Sequence, residues 1–340
     1  MHDNLVHAEA GPAAATTAER PDRGPFRWKG VLLGGAVIWV LMLAALLLTH
    51  NVALLPAIAI IGAGTVPLSV VLRNGERRAG TGLTLDDLFY AFLIGGTVGI
   101  LLGGVFDAEV ERLLGSGGAL LLAGFVEEAA KAVALIWVAR RVAARSMRAG
   151  IYLGAAVGAG FATFETTFYA MRGLLTGSTA NVLRDLPGVV GAVVGTEVFR
   201  AVLSPFMHIT WTAILGGVLF AATRNGRFRL TPAVVGTYVL VAVLHGLWDG
   251  AVPAAAQAAA KAVDSAYRTL HHPRGDWSAA QSHVQAEASL ASFGVLLGGY
   301  LVVIATGLLV LRAMTRHARA VEEAERSAAA GRAAYRGGLT

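Results

Sequence analysis

Between Gly118 and Ala139 the chain is apolar for long enough to cross a bilayer, yet Glu127, Glu128 and Lys131 sit near the middle of that stretch. A crossing takes roughly 20 apolar residues. A charged side chain at bilayer depth costs at least ~2.5–3.5 kcal/mol on the insertion scale. Three such groups in one span need partner groups on other helices, a water-filled cavity, or both. A chain carrying this segment is therefore constrained to a bundle whose other spans supply polar side chains at the same depth.

The composition agrees. Of 340 residues, 55% are hydrophobic and 15% charged, with mean hydropathy +0.61. A soluble domain carries about 25% charged residues. This is the make-up of an integral membrane protein with little room for a separate soluble domain. Abundant Gly and Ala let membrane helices approach closely. The absence of cysteine excludes disulfides, thiolate metal sites and cysteine nucleophiles. The net charge of +6 reads as cytoplasmic loops, since no basic patch carries interleaved aromatics, and nucleic acid is not an expected partner.

Eight apolar runs are expected to be transmembrane helices, at about 31–48, 52–72, 88–106, 118–139, 149–171, 200–222, 232–252 and 289–311. Thr84, followed by Asp86 and Asp87, reads as a helix N-cap with acids in the first turn. A short acidic connection with Asp107, Glu109 and Glu111 separates the third and fourth runs, and Pro187 to Phe199 reads as a partly buried helix. Residues 1–26 read as a disordered cytoplasmic tail, and their long polar lead argues for an uncleaved first helix over a signal peptide. Residues 253–288 form the longest connection, an external loop that begins as an alanine-rich helical stretch; 313–340 read as a cytoplasmic tail, helical near the membrane. Arginine clusters lie before the first run and after the second, fourth, sixth and eighth, all on one side of this alternation. By the positive-inside rule both termini are cytoplasmic. The predicted architecture is all-α: a polytopic bundle of about eight helices in the cell membrane, its embedded domain over 27–312, with no obvious repeat.

Polar residues recur at depth on four of these runs. Glu127 and Lys131 are four apart and Glu128 and Lys131 three apart, so either acid reaches the ammonium along one helix. Adjacent glutamates point about 100° apart; one acid should face a site and the other a supporting partner. The fifth run carries Phe161-Ala-Thr-Phe-Glu165, with Thr163, Thr166 and Thr167 beside it. The sixth carries Arg200, Ser204, His208 and Thr212, one polar stripe every four residues, with Pro205 able to kink it. The seventh carries His245-Gly-Leu-Trp-Asp249. Plainer readings stand beside these. Arg200 reads as a helix-end residue for structural or headgroup contact, Phe161 as packing and Trp248 as an interfacial anchor. His208 alone reads equally well as a satisfied buried histidine. His271, His272 and His283 suggest a metal cluster by count, but they sit in a polar loop without helical spacing.

Three of these stretches together resemble the PrsW-type glutamic intramembrane proteases, related to the CAAX-processing and bacteriocin-immunity membrane proteases. The family's pattern of Glu-Glu-x-x-Lys, Phe-x-x-x-Glu and His-x-x-x-Asp on successive helices reads here as Glu127-Glu128-Ala-Ala-Lys131, Phe161-Ala-Thr-Phe-Glu165 and His245-Gly-Leu-Trp-Asp249. The Arg200…Pro205…His208 stretch resembles the family's additional helix. The likeness covers roughly residues 85–252 without a departure at the motif positions. It implies an endopeptidase that cuts a membrane-protein substrate near the external face, as the type member does with a single-pass anti-sigma factor.

Peptide hydrolysis without serine, cysteine or metal needs an activated water. A free glutamate is a weak base, with a pKa of about 4.3, and becomes a better one in a buried site shared with like charges. Glu128 and Glu165 supply that setting for Glu127, and Lys131 opposes it, so one acid can stay ionised while another holds a proton. The resemblance implies Glu127 as general base, Glu165 as a water holder and His245 as oxyanion stabiliser or proton donor. Asp249 would orient the His245 ring, and His208 would be a further proton partner. No cofactor is then required. The metal alternative is zinc held by Glu127, Glu165, His208 and His245, although no His-Glu-x-x-His helix is present. A proton-coupled transporter would use similar residues but lacks the inverted repeat and paired broken helices. A non-catalytic protein that binds a partner's membrane helix is a third reading. Nothing in the sequence sets the oligomeric state.

Overall fold

The structure is a computed structural model that describes residues 27–175, 179–269 and 277–337. Nine α-helices carry the described chain: α1 (Trp28–Thr49), α2 (Leu55–Glu76), α3 (Leu85–Ala139), α4 (Met147–Leu175), α5 (Thr179–Arg184), α6 (Leu186–Leu203), α7 (His208–Ala221), α8 (Pro232–Thr269) and α9 (Trp277–Gly337). No strand occurs among the described residues. The expected tail 1–26 lies outside them.

Six described helical segments are long and apolar enough to cross a membrane: Trp28–Thr49, Val52–Glu76, Leu85–Gly115, Leu186–Ala221, Pro232–Ala266 and Gln281–Arg332. The expected runs 118–139 and 149–171 are helical as well, but they are not among the six. They carry Glu127, Glu128, Lys131 and Glu165, all buried.

Four expectations need correction. The third and fourth runs are separated by a break at Gly115 and not by an acidic connection: Gly115, with φ 73° and ψ 170°, leaves helical geometry and divides α3 into two helical halves. The acidic residues between them stay helical, and Glu109 pairs with Arg112 one turn on at 2.5 Å. The 253–288 loop is mostly helix as well, because α8 continues through the alanine-rich stretch to Thr269 and α9 begins at Trp277. The sixth run is not continuous: Ser204–Phe206 form a 3-10 turn and Met207 leaves helical geometry with φ −109° and ψ −113°. Pro205 causes this break, and its carbonyl accepts from the Thr210 hydroxyl at 2.6 Å. The C-terminal segment is helical to Gly337, well beyond the membrane-proximal part expected. The Thr84 cap holds as predicted: its side chain accepts from the Asp87 amide, and the Asp87 carboxylate accepts from the Thr84 amide.

Helices α4 and α7 form the centre, packed on each other, with α3 and α2 against α4 and with α8 and α9 against α7. Two close approaches set the site. A Cβ at Gly158 of α4 would collide with the His208 carbonyl at the start of α7. A Cβ at Gly124 of α3 would collide with the Ala242 carbonyl of α8 and crowd the His245 side chain. Small residues let these backbones touch. Gly158→Ala is therefore expected to cost about 1–3 kcal/mol by forced separation, read as a lower unfolding temperature in detergent.

The arginine-rich ends gather at one end of the bundle. Arg73 of α2 lies over the Trp28 ring, Arg148 pairs with Glu322 of α9 at 3.2 Å, and Arg145 lies over Phe228 just before α8. Arg148 also donates to the Ala79 carbonyl.

Candidate active site

Glu128 is the fixed point of the site. It is wholly buried, and its Oε1 accepts from Lys131 Nζ at 2.7 Å and from His245 Nδ1 at 2.9 Å. An ammonium has donors only. Lys131, 0% exposed, therefore also gives a hydrogen to His208 Nδ1 at 2.9 Å, and its charge lies 3.9 Å from the centre of the Phe161 ring. Phe161 thus does more than fill space; it faces a cation buried from solvent. The helical spacing from 128 to 131, the crossing of α3 on α8 and the packing of α4 on α3 and α7 bring these groups together.

The second glutamate points elsewhere, as the 100° offset requires. Glu127 Oε2 lies 3.5 Å from His245 Nε2 and 3.6 Å from Lys131 Nζ, too far for a direct hydrogen bond, and this buried oxygen has no hydrogen-bond partner. Glu165 of α4 accepts from Arg200 of α6, whose Nε also donates to the Thr166 hydroxyl at 2.9 Å. His208 Nε2 lies 2.9 Å from Glu165 Oε2, a close polar contact off the line of a well-directed hydrogen bond. The two imidazole rings are 5.0 Å apart, and both touch Trp211.

Glu127, Glu165, Arg200 and Asp249 surround one region, and Glu127, Arg200 and Asp249 line a cavity of about 750 Å³. Its other walls include Asp107, Tyr169, Phe199, Trp248 and Tyr300. It lies at the end of the bundle away from the arginine clusters, where α3 turns at Gly115.

Several sequence readings change here. Asp249 does not orient His245 from behind. It lies 3.4 Å from His245 Nε2, on the same side as Glu127, and Glu128 holds the far nitrogen Nδ1. Trp248 is not an interfacial anchor; it is 5% exposed and stacks on Tyr300 at 3.8 Å. Arg200 makes the structural contact expected of it, to Glu165 and Thr166. The Arg200–His208 stripe crosses the helix break, yet both residues still reach Glu165. Of the three loop histidines, His283 is exposed and lies 3.5 Å from Glu287; His271 and His272 lie outside the described residues.

Other residues were missed. Asp107 lines the cavity with a buried, unpartnered Oδ1. It was hidden in an acidic run that reads as a loop. Glu197 of α6 is 1% exposed and accepts from Trp39 Nε1 of α1 at 2.5 Å. It sits in a stretch of mixed polarity that gave no periodic signal. Tyr238 of α8 donates to the Phe125 carbonyl at 2.7 Å and ties α8 to the glutamate helix.

A family model described as PrsW family intramembrane metalloprotease matches residues 84–270. The chain belongs to the PrsW family of intramembrane proteases. The match begins at the Thr84 cap and runs past the end of α8, so all three polar motifs fall inside it. No curated protein and no solved structure matches the chain significantly. As a PrsW protein with six helices apolar enough to span, it is a multi-pass membrane protease.

The family description raises the question of a metal. Glu127, His208 and His245 each offer a ligand atom, and these atoms lie within 4.8 Å of one another. The unpartnered Glu127 Oε2 and the Glu128 carboxylate behind His245 are features of metal sites, where an outer acid fixes the imidazole. The donor set therefore fits a metal ion. One neighbour works against it: with Lys131 donating to Nδ1, the His208 proton belongs on Nε2, the nitrogen that would bind the ion.

Proposed function

We propose that this PrsW protein is an endopeptidase that hydrolyses a membrane-protein segment with a water activated by Glu127. The observation that carries the reading is Glu127 Oε2, a buried carboxylate oxygen without a hydrogen-bond partner among the described residues, at the wall of a cavity and 3.5 Å from His245 Nε2. A water between such groups has the partners that a buried water needs. Its oxygen attacks the scissile carbonyl carbon as its proton passes to Glu127, and the same proton then reaches the departing amine as the C–N bond breaks. His245, its Nδ1–H fixed on Glu128, presents Nε2 to the reacting groups as proton donor and oxyanion partner. Glu128 and Lys131 are positioning residues. Glu165, held by Arg200 and His208 behind the cavity wall, would help to hold the water. Asp249 shares the proton of His245 with Glu127. Phe161 packs the Lys131 charge.

The substrate class we infer is a single-pass membrane protein whose chain enters the cavity at the face away from the arginine clusters. The positive-inside rule makes that the external face, with both termini cytoplasmic. The alternative is a zinc protease, favoured by the grouping of Glu127, His208 and His245. Those three residues would hold the ion, and its chemistry would be the generation of hydroxide near neutral pH. A transporter reading has no comparable support beside the family match.

Chelation separates the two mechanisms. With purified protein and a single-pass substrate in detergent, phenanthroline or EDTA is expected to leave the cleavage rate within about twofold, since removal of an essential metal would abolish the activity that it generates. Full loss, restored by added zinc, would replace the glutamate reading with the metal one.

A further inference from the structure

At the arginine-rich end, a second cavity of about 460 Å³ lies between the end of α3, the end of α7 and the segment leading into α8. It is lined by Arg140, Arg145, Arg227 and Arg229, and its apolar wall comes from Ile136, Leu219, Phe228 and Leu230. No acidic residue lines it. The sequence places these arginines by local rules. Arg140 caps α3, with its amide donating to the Ile136 carbonyl at 3.2 Å. Asn225 and Gly226 take φ of 51° and 72°, the pair of left-handed residues that a tight two-residue turn needs. Arg224 and Arg227 exchange backbone hydrogen bonds of 3.1 and 3.0 Å across it, so Arg227 and Arg229 stand on a rigid hairpin. Arg145 is half-buried over the Phe228 ring; its Nη1 donates to the Val142 and Ala144 carbonyls, and its buried Nε has no partner among the described residues.

We propose that this cavity binds the phosphate headgroup of an anionic phospholipid. Four guanidinium groups without a lining acid make a strong anion site, and arginine suits phosphate in particular. The apolar wall sets the occupant apart from a soluble anion. Leu230, 80% exposed, lines the cavity beside the arginines, in place to meet an acyl chain. Basic pockets between membrane helices recognise acidic headgroups in this way. The site lies across the end of α3, the helix that carries Glu127 and Glu128, so lipid occupancy would brace that helix at its C-terminal end.

The test uses the full chain in phosphatidylcholine nanodiscs that contain a minor fraction of spin-labelled phosphatidylglycerol. Wild type should immobilise the anionic lipid in preference to labelled phosphatidylcholine. The double variant Arg227→Gln/Arg229→Gln, on exposed hairpin positions, should lose that preference by about tenfold. Arg140→Gln, also exposed, should lose part of it and serves if the hairpin variant is misfolded. The triple variant Arg312→Gln/Arg316→Gln/Arg319→Gln removes more charge from exposed positions of α9 and should stay within about twofold of wild type. Equal losses in the hairpin and α9 variants would mean diffuse surface attraction and overturn the site. Displacement of the labelled lipid by millimolar inorganic phosphate would overturn the lipid as occupant in favour of a free anion.

Discussion

Glu127→Gln is expected to lower kcat for cleavage of a single-pass substrate by about 10²–10⁴-fold, the range for loss of a general base. The amide keeps the side chain's size and can still touch a water, but it cannot take a proton. Substrate binding depends on the cavity walls, so KM should change little. The fold should survive, because Glu127 Oε2 makes no hydrogen bond that the substitution would break. Retention of more than about a tenth of the wild-type rate would remove Glu127 from the role of base, since it would fall short of the smallest effect expected. The neighbouring Glu128→Gln should behave differently. It weakens the contacts to Lys131 and His245 at once, so stability and rate should fall together.

Lys131→Met should produce the largest loss of stability. Removing one partner of a buried ion pair costs about 3–5 kcal/mol, because the other charge stays buried and uncompensated. Here the orphan is Glu128, at 0% exposure, and the His208 ring loses its Nδ1 partner in the same step. The unfolding temperature in detergent should drop sharply. Adding Glu128→Gln to Lys131→Met should recover part of the loss, since a neutral amide leaves no bare charge, and the pair should be non-additive in a double-mutant cycle. Lys131→Arg should not rescue: the guanidinium is larger and planar, and the site against Phe161 is closed. Stability within about 0.5 kcal/mol of wild type for Lys131→Met would show that the ammonium is not compensating a buried acid.

The buried polar cluster was legible because charge in an apolar run has to be matched, and the matching residues fall at helical spacing. Glu127, Glu128 and Lys131 on α3, Glu165 on α4 and His245 on α8 could be paired from the sequence for that reason. Who holds whom could not be read. His245 sits four residues from Asp249, and spacing alone makes Asp249 its natural partner; the crossing of α3 on α8 at Gly124 instead brings Glu128 to Nδ1. Asp107 was hidden because an acidic run looks like a loop, whereas the Glu109–Arg112 pair keeps it helical up to Gly115. The alanine-rich stretch after Val252 was noticed as helical, but nothing local says that α8 should run on to Thr269. Trp248 looked like an interfacial residue because tryptophan usually is one there. Its stack on Tyr300 depends on α9, more than 50 residues away in sequence.

The central claim is that Glu127 faces a water-filled chamber inside the membrane, open away from the arginine clusters. The chain has no native cysteine, so single cysteines can be read without background. Ala123 lines the cavity one turn before Glu127, and Leu122, at the same depth, is 38% exposed on another face of α3. In liposomes of known orientation, Ala123→Cys should react with a membrane-impermeant thiol reagent added on the side away from the arginines, and Leu122→Cys, facing lipid, should not. An inert Ala123→Cys, or equal reaction of both, would contradict the chamber.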